Sequence, residues 1–434
     1  MNKKQSKTVL SRRQFMATAA KAGSAFAGIN IITSAALGKG GRAAASERLT
    51  VGAMGLSGRG QYIVRAFTQQ QDVQVVAVCD VKREQRDGGK NMVDQQYRNQ
   101  DCKTYIDFRE ILARNDIDVM VIATGDNWHS QASIMAARAG KDIYCEKPLS
   151  VALTESRGVA DELRRTGRIF QCGTQRRSLG NFRFAADLAL SGKLGRIKEL
   201  HAEEAGGMEK FNFEILPEEP EPSREDFDWD LWLGPAQWRP FNKKYPTRGY
   251  WSNHVDFSGA SICEWGSHTV DLCQWANNTD DTGPVEFWKE SVKVDGKDVV
   301  RHCARYANGA KLIIRTGLRF GSCPVRYEGD EGWVETGDSG QIETYPKSLL
   351  GNRGFEGGYP ADNHVRAFLD CVKIRKECIS NAEVAHRSIS VCHVANICKR
   401  LDRPIKWDPA KELCVGDEEA NRMLSRASRE PWYL

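Results

Sequence analysis

From Leu49 onward, short apolar runs alternate with segments of helical periodicity, and few folds accept that pattern. "LTVGAM" reads as a strand, Gln61–Gln69 as a helix, "VQVVAVCD" as a strand and Arg83–Tyr97 as a polar helix. "DVMVIAT", a helix over Ser130–Ala139, "DIYC", a helix after Pro148 and "RIFQCG" continue the series. Strands this apolar have no face left for water, so they belong in a parallel sheet covered by helices on both sides. The expected fold is α/β, with a doubly wound parallel sheet in the first half of the chain.

At 434 residues and 41% hydrophobic content, the chain is long enough to bury two domains. Lys and Arg number 62 against 57 acids, yet eight of the positives fall in the first 45 residues, which hold no acid. The remainder carries 54 positives against 57 acids, and nucleic acid is not an expected partner. The leader has its own pattern: Arg12 and Arg13 in "SRRQFM", a weakly apolar run over Ala22–Leu37, then the small residues Ala43 and Ala45. It reads as a twin-arginine export signal over 1–45. Its apolar run is shorter than the ~20 residues a span needs, so no stable membrane anchor is expected once the signal is removed. The expected location is periplasmic, or otherwise outside the inner membrane. Thirteen cysteines, an odd number with no C-x-x-C pair, read as buried free thiols.

The first strand runs into "VGAMGLSGRG", where Gly55, Gly58 and Gly60 let backbone approach a pyrophosphate at a helix N-terminus, with Ser57 and Arg59 in the same turn. Glycine-rich turns also arise for steric reasons alone. Here the turn follows a strand and opens a helix, and the next strand ends in Asp80. A carboxylate there binds both ribose hydroxyls and repels a 2′-phosphate, so NAD is the expected cofactor, favoured over NADP. Lys147 in "DIYCEKPLS" follows its strand at the carboxyl end, where ligands of such sheets sit, and "ATGDNWHS" (123–130) lines the same crevice. Taken alone, Lys147 before Pro148 reads as a solvated lysine at a helix opening.

With these segments in order, followed by "CEWGSHTVDLCQWA", the chain resembles the Gfo/Idh/MocA family of NAD(P)-dependent sugar and cyclitol oxidoreductases from Leu49 to the C-terminus. The resemblance implies a Rossmann domain over 46–174 and, over 175–434, an α+β substrate and oligomerisation domain with a large open, mostly antiparallel sheet. It also implies a homodimer or homotetramer. Lys147 is then the lysine near the nicotinamide that hydrogen-bonds the substrate hydroxyl, and Thr124, Asn127 and His129 match the segment beside the cofactor. Glu146 and Gln175 join them on the nicotinamide side. Gly125 stands where many members have proline.

In "EWGSHTVD", Glu264, His268 and Asp271 are spaced i, i+4, i+7 and share one face of a helix. A polar stripe, a mononuclear metal site and an acid–base group all use such a face. The hydride cofactor already supplies the electron sink, so no metal is expected. Oxidising a secondary alcohol needs a base at the hydroxyl, and histidine, with an ordinary pKa near ~6.5, suits it. By resemblance His268 is the catalytic histidine and Glu264 its partner; Asp271 orients His268 or binds a substrate hydroxyl. Lys147 as a cation stabilises the developing alkoxide.

Arg176 and Arg177 in "GTQRRS" either clamp an acidic sugar or form a solvated pair. The tryptophans from Trp229 to Trp251 are either core filler or stacking platforms for sugar. Tyr359, Asn363 and His364 stand at a helix start that returns toward the site in the family, where capping by Asp362 or Asn363 is the alternative. The expected activity is hydride transfer between a secondary alcohol of a sugar, glycoside or cyclitol and tightly bound NAD. Free NAD is not expected outside the cytoplasm, so two other readings stand beside it. One is a redox-neutral glycosidase working through a keto sugar; the other is a sugar-binding subunit without turnover.

Overall fold

In a computed structural model of the chain, which describes residues 43–204, 211–294 and 296–433, the five apolar runs become five of the six strands of a parallel sheet. The six are β1 (Leu49–Met54), β2 (Val73–Cys79), β3 (Lys103–Tyr105), β4 (Val119–Ile122), β5 (Asp142–Cys145) and β6 (Phe170–Cys172). Their order in the sheet is β3-β2-β1-β4-β5-β6. Every residue of β4 and β5 is buried, as strands covered on both faces must be. The crossovers carry α1 (Gly58–Thr68), α2 (Arg83–Tyr97), α3 (Phe108–Leu112), α4 (Asp126–Arg138) and α5 (Leu153–Thr166). Strand order reverses between β1 and β4, which opens a crevice at their carboxyl ends.

Element boundaries shift from expectation where local chemistry outweighs periodicity. Helix α1 begins at Gly58 and α4 at Asp126, because their first turns are glycine-rich or polar and carry no apolar repeat. The helix expected after Pro148 begins only at Leu153. Strand β3 and helix α3 were not legible, being three and five residues long. The expected export signal over 1–45, with Arg12 and Arg13, lies outside the described residues apart from its last three positions.

The second half begins with α6 (Gly180–Leu190) and builds a nine-stranded sheet. Its strands are β7 (Ile197–Glu203), β8 (Glu286–Val294), β9 (Lys297–Arg305), β10 (Lys311–Arg315), β11 (Val325–Gly329), β12 (Trp333–Thr336), β13 (Ile342–Tyr345), β14 (Ile405–Asp408) and β15 (Leu413–Cys414). The order is β13-β12-β11-β7-β10-β9-β8-β14-β15, with only β7 and β10 parallel. The Asn308-Gly309 turn joins β9 to β10, and Gly309 takes φ +91° there. Helix α7 (Ala260–Ala276) packs under the sheet against α9 (Ala382–Leu401). Between them in sequence, α8 (Asp362–Ile374) returns to the first sheet, and its Phe368 packs edge-on against Phe67 and Tyr144. All thirteen cysteines are free thiols, and all but Cys371 are buried.

Candidate active site

The cleft is built first by its glycines. Gly55 takes φ +82°, and a Cβ there would stand 2.5 Å from the Ala123 carbonyl carbon. A Cβ on Gly60 would stand 1.8 Å from the Gly55 carbonyl oxygen, whereas one on Gly58 would meet nothing within 4 Å. Two glycines are thus demanded by packing, and the third leaves open space before the first turn of α1. The Ser57 side chain does not cap that turn, and the amides of Gly58, Arg59 and Gly60 have no partner within the helix. Asp80 holds the next edge: its Oδ2 accepts the Leu56 amide at 2.6 Å and its Oδ1 the Lys82 amide at 2.9 Å. Each oxygen keeps a second lone pair, the acceptor set a ribose diol needs. Burial pushes the Asp80 carboxyl up, opposed by those two amides and by Lys82. Donors for a pyrophosphate and acceptors for a ribose therefore fit a dinucleotide. A cavity of about 160 Å³ runs between Gly55, Asp80 and Thr124 on one side and Trp232, Trp251 and Phe257 on the other.

Lys147 is not solvated. Its Nζ donates to the Glu264 carbonyl at 3.0 Å and lies 3.2 Å from Glu264 Oε2. Burial disfavours the ammonium, but the neighbouring carboxylates, Glu264 foremost, outweigh it and hold the Lys147 pKa above its ordinary value. Asp126, at the start of α4, is buried and hydrogen-bonds Glu264. Burial first, then the neighbouring Glu264 charge, pushes the Asp126 carboxyl well above the usual range. Glu264 moves the other way because Lys147 overcomes the cost of its burial. The state these shifts describe is a neutral Asp126 donating to an ionised Glu264 that is paired with a cationic Lys147. Sequence reasoning passed over Asp126, because an aspartate before a helix also reads as a cap.

His268 differs from its expected state. Arg176 Nη1 stands 3.0 Å from His268 Nε2, and a guanidinium only donates, so that nitrogen accepts and Nδ1 bears the hydrogen. Burial, then the charges of Arg176, Lys147 and Arg59, drive its pKa well below the ordinary value. The expected Glu264–His268 pairing is replaced by Glu264–Lys147, since the longer glutamate reaches across to β5's end. Asp271 orients neither His268 nor anything in the cleft. It is 1% exposed and accepts from Arg177 at 2.7 and 2.9 Å and from Ser388 at 2.8 Å. Seven residues of helix carry it about 10 Å along the axis from Glu264, to the level where Arg177 and Ser388 of α9 meet it.

The arginine pair is neither solvated nor a free clamp. Arg177 is fully buried between Asp271 and Asp280. Arg176 forks onto Asp338 at 3.1 and 2.6 Å, with the exposed Tyr359 ring 4.9 Å from its guanidinium carbon. Glu146 joins Arg59 at 3.1 Å and Gln175 Nε2 at 2.8 Å beneath the site. His129 Nδ1 donates to the Pro148 carbonyl at 2.6 Å, which ties α4 to the Lys147 turn. Thr124 lines the cleft, as does Asn127, whose Nδ2 also donates to the Leu233 carbonyl. His364 is satisfied in the core by Ser178 and Cys172, Asn363 is exposed, and no side chain caps α8. Trp229 is core, stacked 4.8 Å from Trp232, which faces the cleft. Among the described residues, Glu199, His201 and Glu328 come close enough together to suggest a metal site. Arg315 donates to His201 Nδ1, so its Nε2 bears a hydrogen toward the glutamates and offers no lone pair.

Two sequence profiles together cover most of the chain. "Oxidoreductase family, NAD-binding Rossmann fold" matches residues 49–174, and "Oxidoreductase family, C-terminal alpha/beta domain" matches residues 190–434. The chain belongs to the Gfo/Idh/MocA oxidoreductase family. Its N-terminal unit is thus the family's NAD-binding domain. Inositol 2-dehydrogenase of Salmonella paratyphi B is 27% identical over 130 residues, 30% of this chain and 37% of that protein. Glycosyl hydrolase family 109 protein 1 of Shewanella sp. is 29% identical over 123 residues, 28% of this chain and 27% of that protein. The chain thus spans well under half the length of these curated relatives. Among solved structures, aldose-aldose oxidoreductase from Caulobacter crescentus shares the fold at TM-score 0.60 and 17% identity, covering 83% of this chain and 99% of that one.

Proposed function

We propose that this protein is an exported oxidoreductase that moves a hydride between a secondary alcohol of a sugar, glycoside or cyclitol and NAD held in place. The observation that carries the reading is the buried Lys147–Glu264–Asp126 group at the carboxyl end of β5. Bound NAD supplies the hydride acceptor. The Lys147 ammonium stabilises the alkoxide that develops as the hydroxyl loses its proton. Lys147 takes that proton while passing one of its own to Glu264 Oε2, 3.2 Å away, so Lys147 remains a cation and the proton lost by the hydroxyl ends on Glu264. Neutral Asp126 keeps Glu264 oriented, and His268, its Nε2 engaged by Arg176, holds the substrate side through Nδ1–H. Asp80, with its two acceptors turned to the ribose, favours NAD over NADP.

Export makes cofactor recycling the central constraint. A donor sugar and an acceptor keto sugar using the same site in turn would close the cycle; the structural neighbour from Caulobacter crescentus is named an aldose-aldose oxidoreductase. The glycosyl hydrolase relatives support a second reading: a transient keto group acidifies the adjacent C–H, a glycosidic substituent is eliminated, and the ring is reduced again. The nine-stranded sheet supports assembly as a homodimer or homotetramer. The test uses protein purified without added cofactor, with the released nucleotide identified and absorbance near ~340 nm followed during exposure to glycosides. Stoichiometric NAD that one sugar reduces and a keto sugar reoxidises supports the oxidoreductase. Aglycone release without net reduction supports the glycosidase, and absence of bound nucleotide refutes both.

A further inference from the structure

The Rossmann sheet supplies only one wall of the cleft. The other comes from the Trp-rich segment of the second half, which forms its own apolar cluster around Trp229, Phe241, Tyr245 and Phe257. That cluster is pinned to the cofactor domain at both ends of the cleft. At the β2 end, Phe227 bridges Lys82, the Asp228 amide donates to the Val81 carbonyl at 3.0 Å, and the Arg83 amide donates to the Asp226 carbonyl at 2.9 Å. At the α4 end, Trp128 Nε1 donates to the Leu231 carbonyl at 2.7 Å, and a Cβ on Gly234 would stand 2.3 Å from the Trp128 ring. Trp232 and Trp251 are half-buried and line the cavity opposite Asp80, Val81 and Ile106. Asp80 marks the adenosine side, so the aromatic wall faces the flat, apolar part of the dinucleotide.

Resting on the assignment of bound NAD above, we infer that Trp232 and Trp251 are cofactor-retaining residues that close the adenosine half of the cleft and make NAD non-exchanging. Aromatic faces add stacking contact to a heteroaromatic ring. Because the wall is anchored at both ends, release requires it to undock from Val81 and Trp128. An exported enzyme needs such retention, since lost NAD is not replaced.

The experiment measures exchange of the co-purified nucleotide, in the full-length holoprotein, against excess etheno-NAD, whose adenine is fluorescent. Trp232→Ala and Trp251→Ala are each expected to accelerate exchange at least tenfold, and the double variant to lose most of its nucleotide on gel filtration. Trp232→Phe is expected to retain it, which separates loss of stacking from loss of the fold. Trp238→Ala, 65% exposed and away from the cleft, should exchange at the wild-type rate. Wild-type exchange in a folded double variant overturns the inference while leaving the NAD reading intact. Wild-type protein that carries no nucleotide overturns both.

Discussion

Replacing Asp271 by Asn separates a catalytic from an architectural aspartate. Asp271 and Arg177 are 1% and 0% exposed, and their two hydrogen bonds of 2.7 and 2.9 Å join α7 to the turn before α6. Removing one partner of a buried ion pair costs about 3–5 kcal/mol, because the other charge is left in the interior. Asp280 still faces Arg177 at 2.7 Å, which places the expected cost near the lower bound, about 3 kcal/mol. For a folded unit running Leu49–Leu434, the unfolding entropy is about 0.8 kcal/mol/K, so Tm should fall by about 4 °C. The assay is calorimetry of the holoprotein, paired with kcat measured well below the transition. Expected results are the lower Tm and a kcat within about threefold of wild type, since no atom of Asp271 reaches the cleft. An unchanged Tm with kcat reduced a hundredfold would refute the placement and return Asp271 to the substrate.

Four further outcomes follow from the same geometry. Lys147→Met should lower kcat by about a thousandfold, the effect of removing a donor at a developing oxyanion, while nucleotide content stays at the wild-type level. Gly60→Ala puts a methyl 1.8 Å from the Gly55 carbonyl oxygen, so the purified protein should carry little nucleotide when its ultraviolet spectrum is read. Stability should fall as pH drops below about 6.5, because the unfolded chain takes up protons that buried histidines refuse. His364 and His302 are pushed down to about 4 and His393 to about 3, burial being the leading cause in each; their contribution is full above pH 6.5 and is lost toward those values. Equal urea midpoints at about pH 7 and pH 5 would contradict this. Asp126→Asn keeps a neutral donor toward Glu264, so its Tm at neutral pH should match wild type within about 1 kcal/mol of stability, whereas a large loss would mean that Asp126 is ionised.

Local pattern carried much of the fold. The boundaries of β1, α2 and β5 were legible residue by residue, because each is a run of one periodicity ended by a change in composition. Strand β3 was not, since three half-polar residues hold no period. The glycine turn and Asp80 were legible because their chemistry lies within one βαβ unit. The partners of Glu264, His268 and Asp271 were not legible: spacing alone puts the three on one face, and what each meets is supplied by distant chain. Glu264 meets Lys147 across 117 residues, His268 meets Arg176 across 92 and Asp271 meets Arg177 across 94.

The sequence by itself determined a Rossmann sheet, its nucleotide turn, a lysine at the mouth of the crevice and a helix carrying two carboxylates and a histidine. Each of these depends on residues within a few turns of one another, where periodicity and steric demand act. Only the tertiary structure decided the charge states, because they follow from burial and from partners brought together by folding. It pushed the Asp126 carboxyl up beside Glu264, engaged His268 Nε2 with Arg176, buried Asp271 against Arg177, and laid the Trp-rich segment across the cofactor cleft. A proton goes where desolvation and neighbouring charge send it, and neither is a property of a short stretch of chain.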